Sequence, residues 1–293
     1  MDDGNAIEAG RPTGIVVLGM HRSGTSALAR ILSLVGADLP RDLLEPSESN
    51  VTGHWEAKSI LRLHVDLFGA LRTNWHDWLA IDAGQFNSGD CARFVEAARQ
   101  YLIRDFGRSR LFVLKDPRMC RLVPLWTRIF ERTDMTMRAV LPLRHPLEVA
   151  QSLLDRNAIP IEHGLMMWLR HVLDAEAGSR GVTRSWTTYG GLIDDWRGTV
   201  GKIGRELGVA WPRFNAEAAD TFLDPSLRHH SDARLAWPKT AVSDLAEDAH
   251  AVLSEFTERG ETAEGRDALD RLRAAFDRDT AANVVPAAVG QPG

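Results

Sequence analysis

The chain has 293 residues, 44% of them hydrophobic, enough to bury a large core, which excludes disorder as the default. A formal charge of −5 provides no general field for nucleic acid or an anionic membrane, so any bound anion must be held by local groups. The two cysteines, Cys91 and Cys120, exclude a disulfide framework and a cysteine-rich zinc site, and suit a reducing cytoplasm.

Residues 1–13 are acidic and read as a flexible N-terminus. The first apolar run, Ile15 to Leu18, is far too short to span a bilayer, so a cytoplasmic protein is expected. Gly14-Ile-Val-Val-Leu-Gly19 predicts a buried parallel strand. From Thr25 the apolar positions Ala27, Leu28, Ile31, Leu32 and Val35 fall at helical spacing, and Gly36 supplies a stop. Ala37 to Gly53 carries Pro40, Pro46, Ser47 and Asn50 without periodicity and predicts a long loop.

Helical spacing resumes from Trp55 to Leu71 and again from Asp90 to Phe106. Strands are expected at Leu111 to Leu114 and Ala139 to Leu143, with a helix-like Arg121 to Glu131 between them and a weaker strand from Val182 to Tyr189. This alternation predicts an α/β fold, a P-loop-like central parallel sheet flanked by helices, followed by a mostly helical C-terminal part. The expected organisation is an α/β domain over 14–230, a helical extension over 231–280 and a disordered tail over 281–293. Most of the nine tryptophans, including Trp126 and Trp168, fall within helical patterns and are expected in the core.

Gly19-Met-His-Arg-Ser-Gly-Thr-Ser26 joins the first strand to the first helix, where free backbone N–H groups and the helix dipole favour an anion. Its glycine spacing copies a phosphate loop. Thr25 stands where a nucleotide triphosphatase carries lysine, and the cation has moved to Arg22. The plain alternative is a glycine-bearing turn that only packs helix on strand. Leu114-Lys-Asp-Pro-Arg118 ends another strand, at the edge where open α/β sheets bind ligands. A surface ion pair between Lys115 and Asp116 is the alternative there. Arg144-His-Pro-Leu-Glu-Val-Ala-Gln-Ser152 again follows a strand and opens a helix, placing a guanidinium and a hydroxyl where both can hold phosphate.

These three segments, in this order, resemble the PAPS-dependent sulfotransferases, which use 3′-phosphoadenosine 5′-phosphosulfate (PAPS) as sulfuryl donor and release PAP. The resemblance spans about residues 14–230 and is nearest to the bacterial branch, with Arg-Ser-Gly-Thr and Lys-Asp-Pro similar to the tyrosylprotein-type enzymes. It implies that Arg22, Ser23, Gly24, Thr25 and Ser26 hold the 5′-phosphosulfate and that Lys115 contacts the sulfuryl oxygens. Arg144 and Ser152 would then clamp the 3′-phosphate. Tyr189 is similar to a family tyrosine near adenine. Ala27 and Leu28 stand where animal enzymes carry an adenine-contacting tryptophan, and their glycine-rich C-terminal loop is missing, so Arg228 in Leu-Arg-His-His is a substitute candidate.

Transfer needs a base for the acceptor proton. Gly53-His54-Trp55-Glu56 resembles a Gly-x-Trp-Glu segment of bacterial relatives, which makes Glu56 the candidate, with Glu45 and His54 in reserve. An ordinary first-turn glutamate favoured by the helix dipole is the alternative for Glu56. The expected acceptor is a hydroxyl of a small molecule, glycan or glycolipid, and Trp55, Trp75 and Trp78 are candidates to line its pocket. No metal is expected, since no His-Glu-x-x-His or clustered Cys and His spacing occurs. Two other readings stay open: a degenerate P-loop kinase or NTPase, and a module that binds an adenosine phosphate without turnover. Oligomeric state and acceptor identity are not legible in the residues.

Overall fold

The computed structural model describes residues 11–47, 52–223 and 237–282. Arg228, the first ten residues and the tail beyond 282 lie outside the described residues.

Four strands form one sheet in the order β2-β1-β3-β4, all parallel: β1 (Thr13–Val17), β2 (Leu111–Lys115), β3 (Thr136–Leu143) and β4 (Arg184–Thr188). The first three are apolar on both sides because both sheet faces are covered. Val16, Leu114, Ala139 and Leu141 join one core cluster, while Ile15, Val17, Val113 and Val140 join the other. The second layer is made by α1 (Thr25–Leu34), α8 (Trp196–Leu207) and α9 (Ala216–Phe222), which contribute Leu28, Val200 and Ala219.

The larger layer holds α2 (Lys58–Ala70), α3 (Gly89–Phe106), α4 (Val123–Glu131), α5 (Pro146–Asn157) and α6 (Ile161–Gly178). Trp126 and Trp168 are fully buried in it, as their helical spacing predicts. The short α7 (Tyr189–Asp194) follows β4, and α10 (Ala241–Arg259) and α11 (Ala263–Ala282) add Leu253 and Phe276 to the larger core. No helix among the described residues is long and apolar enough to cross a membrane. Cys91 and Cys120 are buried and free.

Strand β1 lies between β2 and β3, so the chain leaves it on one side for β2 and arrives at β3 on the other. The crevice beyond the carboxyl ends of β1 and β3 is the switch point where such sheets bind ligands. All three predicted segments emerge at this edge: residues 18–24 after β1, Asp116 after β2 and Arg144 after β3.

Two expectations need correction. The helix predicted from Trp55 begins only at Lys58, with Ala57 as its cap, because Gly53 (φ 99°) and Trp55 (φ 57°) turn the chain through left-handed backbone. Glu56 therefore precedes the helix and is not a first-turn residue. The weak last strand spans Arg184–Thr188, and Tyr189 opens α7 instead of ending the strand.

Candidate active site

Helix α1 is capped by Gly24, in left-handed backbone at φ 77° and with no side-chain cap. Its first-turn N–H groups therefore lack the usual side-chain acceptor and face the loop. A Cβ on Gly24 would lie 2.1 Å from Cδ2 of Tyr189, so the tyrosine ring rests directly on the phosphate loop. Ser23 and Thr25 are buried within the turn.

Arg22 is also left-handed, at φ 70°, a conformation that costs a non-glycine residue about 1–2 kcal/mol. Surrounding contacts hold it there. Its Nε donates to Ser152 Oγ at 2.8 Å, and its carbonyl accepts from Arg144 Nη1 at 2.8 Å. Arg144 also donates to Glu148 at 2.9 Å and sits 4.7 Å above the Tyr189 ring. Burial, with Arg156 and Arg144 in electrostatic reach, lowers the Arg22 pKa. Three guanidinium groups thus crowd one end of the loop, an arrangement that an arriving polyanion would relieve. Arg156 has no role in the sequence reading. Its signal was available, since it lies one turn beyond Ser152 on the same helix.

At the other end, Lys115 is buried at 5% exposure and Glu56 at 6%. Lys115 Nζ lies 2.5 Å from Glu56 Oε1, 3.1 Å from Ser26 Oγ and 3.0 Å from the His54 carbonyl. An ammonium has three N–H donors, so all three are committed. The surface pair of Lys115 with Asp116 does not form: Asp116 instead contacts His64 at 3.0 Å and Arg118 at 2.9 Å. Arg118 Nη1 also lies 3.9 Å from Glu56 Oε2, so Glu56 sits between two cations.

His54 contacts Ser47 at 2.9 Å through Nε2. Burial lowers its pKa and Glu56 raises it, while Lys115, Arg156 and Arg22 lower it further. Glu45 is 82% exposed and its carboxylate pairs with Lys58 at 3.0 Å. The three candidate pocket tryptophans do not share one wall. Trp75 packs on the loop residue His21 at 4.9 Å and Trp78 on His163 at 4.4 Å, both against the larger core. Trp55 lies with the smaller core, under Arg30 at 4.6 Å. A cleft of about 480 Å³ opens beyond Arg144, lined also by His145, Tyr189, Gly190, His250 and Ser254. Among the described residues, no group of three or more His, Cys, Asp or Glu side chains is placed to hold a metal ion.

The structure thus brings Arg22, Ser23, Gly24, Thr25, Ser26, Glu56, Lys115, Arg144, Ser152 and Tyr189 to one sheet edge, linked by the contacts above. Cationic side chains stand at both ends of the turn, with one buried carboxylate and one half-buried imidazole beside Lys115.

No family model matches the chain, and no curated protein matches it. Among solved structures it is similar to the sulfotransferase domain of the Synechococcus PCC 7002 olefin synthase, at 18% identity and a TM-score of 0.43, over 94% of this chain and 98% of that one. It is also similar to the sulfotransferase domain from the curacin biosynthetic pathway, at 13% identity and a TM-score of 0.41, over 90% of this chain and 97% of that one. The class defined by the fold itself is an α/β protein with a parallel sheet and a phosphate-loop-like turn after its central strand.

Proposed function

We propose that the chain is a sulfotransferase that moves a sulfuryl group from PAPS to a hydroxyl of a small-molecule, glycan or glycolipid acceptor. The carrying observation is the Arg22 bridge. Arg22 bonds Ser152 through its side chain and Arg144 through its carbonyl, so two anion-binding segments meet in one place. A donor with separate 3′ and 5′ phosphates needs such a double site, whereas a triphosphate needs a single cradle with its lysine.

In this reading the turn of Ser23, Gly24, Thr25 and Ser26 holds the 5′-phosphosulfate, and Arg144, Ser152 and Arg156 take the 3′-phosphate. Tyr189 borders the nucleoside. The acceptor oxygen attacks sulfur in line, the bond from sulfur to the bridging oxygen breaks, and the acceptor proton passes to Glu56. The products are a sulfate ester and PAP. Arg22 faces the leaving phosphate, and Lys115 the sulfuryl oxygens, where charge grows in the transition state. Lys115 must then release one present partner, and the Ser26 hydroxyl is the easiest, being neutral and loop-borne.

Calorimetric titration with PAP, adenosine 5′-phosphate and Mg-ATP tests the reading, followed by mass spectrometry of acceptor pools incubated with labelled PAPS. Tight metal-free PAP binding and a sulfated product are expected. Equal affinity for adenosine 5′-phosphate, or PAP binding with no product from any pool, would rule against transfer from PAPS.

A further inference from the structure

Behind Glu56 runs a buried chain of contacts that no part of the transfer reading uses. Trp126 Nε1 donates to His64 Nε2 at 3.1 Å, and His64 Nδ1 meets Asp116 Oδ2 at 3.0 Å. An indole N–H can only donate, so Nε2 of His64 accepts and the imidazole proton sits on Nδ1, directed at Asp116. The other oxygen of Asp116 accepts from the Arg118 backbone N–H and from Arg118 Nη1, both at 2.9 Å. That same Nη1 is the group 3.9 Å from Glu56. His64 and Asp116 are essentially without solvent contact, at 0% and 1% exposure.

Burial alone pushes the Asp116 carboxyl up, but its contacts with His64 and Arg118 outweigh this and hold it well below the usual carboxylate range. Asp116 therefore carries a full charge in the core, and both its oxygens are engaged. Arg118 Nε is buried without a hydrogen-bond partner. A guanidinium whose Nη1 is held by one carboxylate at 2.9 Å and lies 3.9 Å from a second is fixed in place beside Glu56.

We propose that His64 is a positioning residue of the transfer site: through Asp116 it holds Arg118 beside Glu56. The inference rests on the sulfuryl-transfer reading. When Glu56 takes the acceptor proton its charge vanishes, and Lys115 and Arg118 are left facing the charge that grows on the sulfuryl oxygens. Without the Nδ1 proton, Asp116 Oδ2 would be a buried acceptor lacking its donor. It would draw the guanidinium towards itself and off Glu56. The cost would fall on turnover, because Arg118 is not among the groups assigned to PAP.

The test compares His64→Leu, His64→Asn and Arg118→Gln, using PAP titration and turnover of PAPS with the acceptor recovered from the pools. Asparagine places an amide N–H near the Nδ1 position, and leucine does not. For His64→Leu, kcat is expected to fall about 10–100-fold, the cost typical of removing a group that orients an active residue, with PAP affinity within about threefold. His64→Asn should recover most of that loss, and Arg118→Gln should match His64→Leu. Nitrogen-15 spectra of the wild-type protein should show the His64 ring, distinguished from the Nδ1-donating His171, carrying its proton on Nδ1 with Nε2 bare, a readout that needs no variant to fold. Equal loss in the leucine and asparagine variants, near-normal turnover in Arg118→Gln, or a His64 ring protonated at Nε2 would each overturn the proposal. Absence of PAP binding and product in the wild type would instead overturn the transfer reading beneath it.

Discussion

Lys115 and Glu56 form an ion pair of 2.5 Å with both side chains buried, joining the end of β2 to the loop before α2 across 59 residues of sequence. In the proposed reading such a pair serves fold and chemistry together, and the two must be separated experimentally. Removing one partner leaves a buried charge alone, which costs about 3–5 kcal/mol, whereas removing both together costs far less. Lys115→Met and Glu56→Gln should each lower stability in urea melts, and the double variant should recover much of the loss. Turnover should not recover. Glu56→Gln is expected to lose roughly 10²–10⁴-fold, the range for a missing general base, and the double variant should be no better. Turnover returning with stability would make the pair structural only.

Arg144 supports the turn after β1 by donating to the Arg22 carbonyl, and in the proposed reading it also faces the nucleotide. Arg144→Ala should therefore weaken PAP binding beyond the loss of one phosphate contact. A charged hydrogen bond is worth about 1.5–3 kcal/mol, which places the expected loss between tenfold and a few hundredfold. Ser152→Ala, which frees Arg22 Nε, should weaken binding less, because its hydroxyl is neutral. PAP titration of the two variants checks the order, and unchanged affinity in both removes the 3′-phosphate assignment.

The sheet was legible because β1, β2 and β3 are apolar on both faces, and the loop was legible because a strand, two glycines and a helix lie in immediate succession. The start of α2 was not. Trp55 and Glu56 continue a helical pattern locally, yet Glu56 is drawn to Lys115 and the chain turns through left-handed backbone to reach it. Helix α6 shows a helical pattern around Trp168, but its bounds were not legible, since its buried Arg170, His171 and Glu176 interrupt the apolar stripe that marks a core helix. The contact of His64 with Asp116 joins positions 52 apart and leaves no local trace.

Gly24 is confined twice, by its φ of 77° and by the ring of Tyr189. Left-handed backbone costs an alanine about 1–2 kcal/mol, and the overpacked Cβ adds about 1–3 kcal/mol more. Gly24→Ala should lower the thermal midpoint and weaken PAP binding. Adding Tyr189→Ala removes the clash but not the backbone strain, so recovery of the midpoint should be partial. A single Gly24→Ala variant as stable as the parent would mean that the ring does not press on the loop in solution.

Acid should destabilise the fold well before its carboxylates protonate. His171 is fully buried, donates through Nδ1 to the Met167 carbonyl at 2.8 Å, and leaves Nε2 buried without a partner. Burial, reinforced by Arg121, Arg118 and Arg170 and only partly offset by the Met167 bond, pushes its pKa down to about 3. The unfolded imidazole titrates near an ordinary value of about 6.5. Between those values the unfolded chain binds a proton that the folded chain refuses, so stability rises with pH through this window and is lost as pH falls below about 6.5. Asp116 acts with the same sign but only below about 4, the ordinary carboxylate range, because its folded pKa is also depressed. His21 and His250 are lowered by burial too, the latter to about 4, and add to the slope in the His171 window. His171→Leu removes one such proton. Its unfolding free energy, from urea melts between pH 6 and 4.5, should vary less steeply than the parent's by about 1.4 kcal/mol per pH unit. An unchanged slope would mean that His171 is protonated within the fold, and its charge would then have to be accommodated beside three arginines.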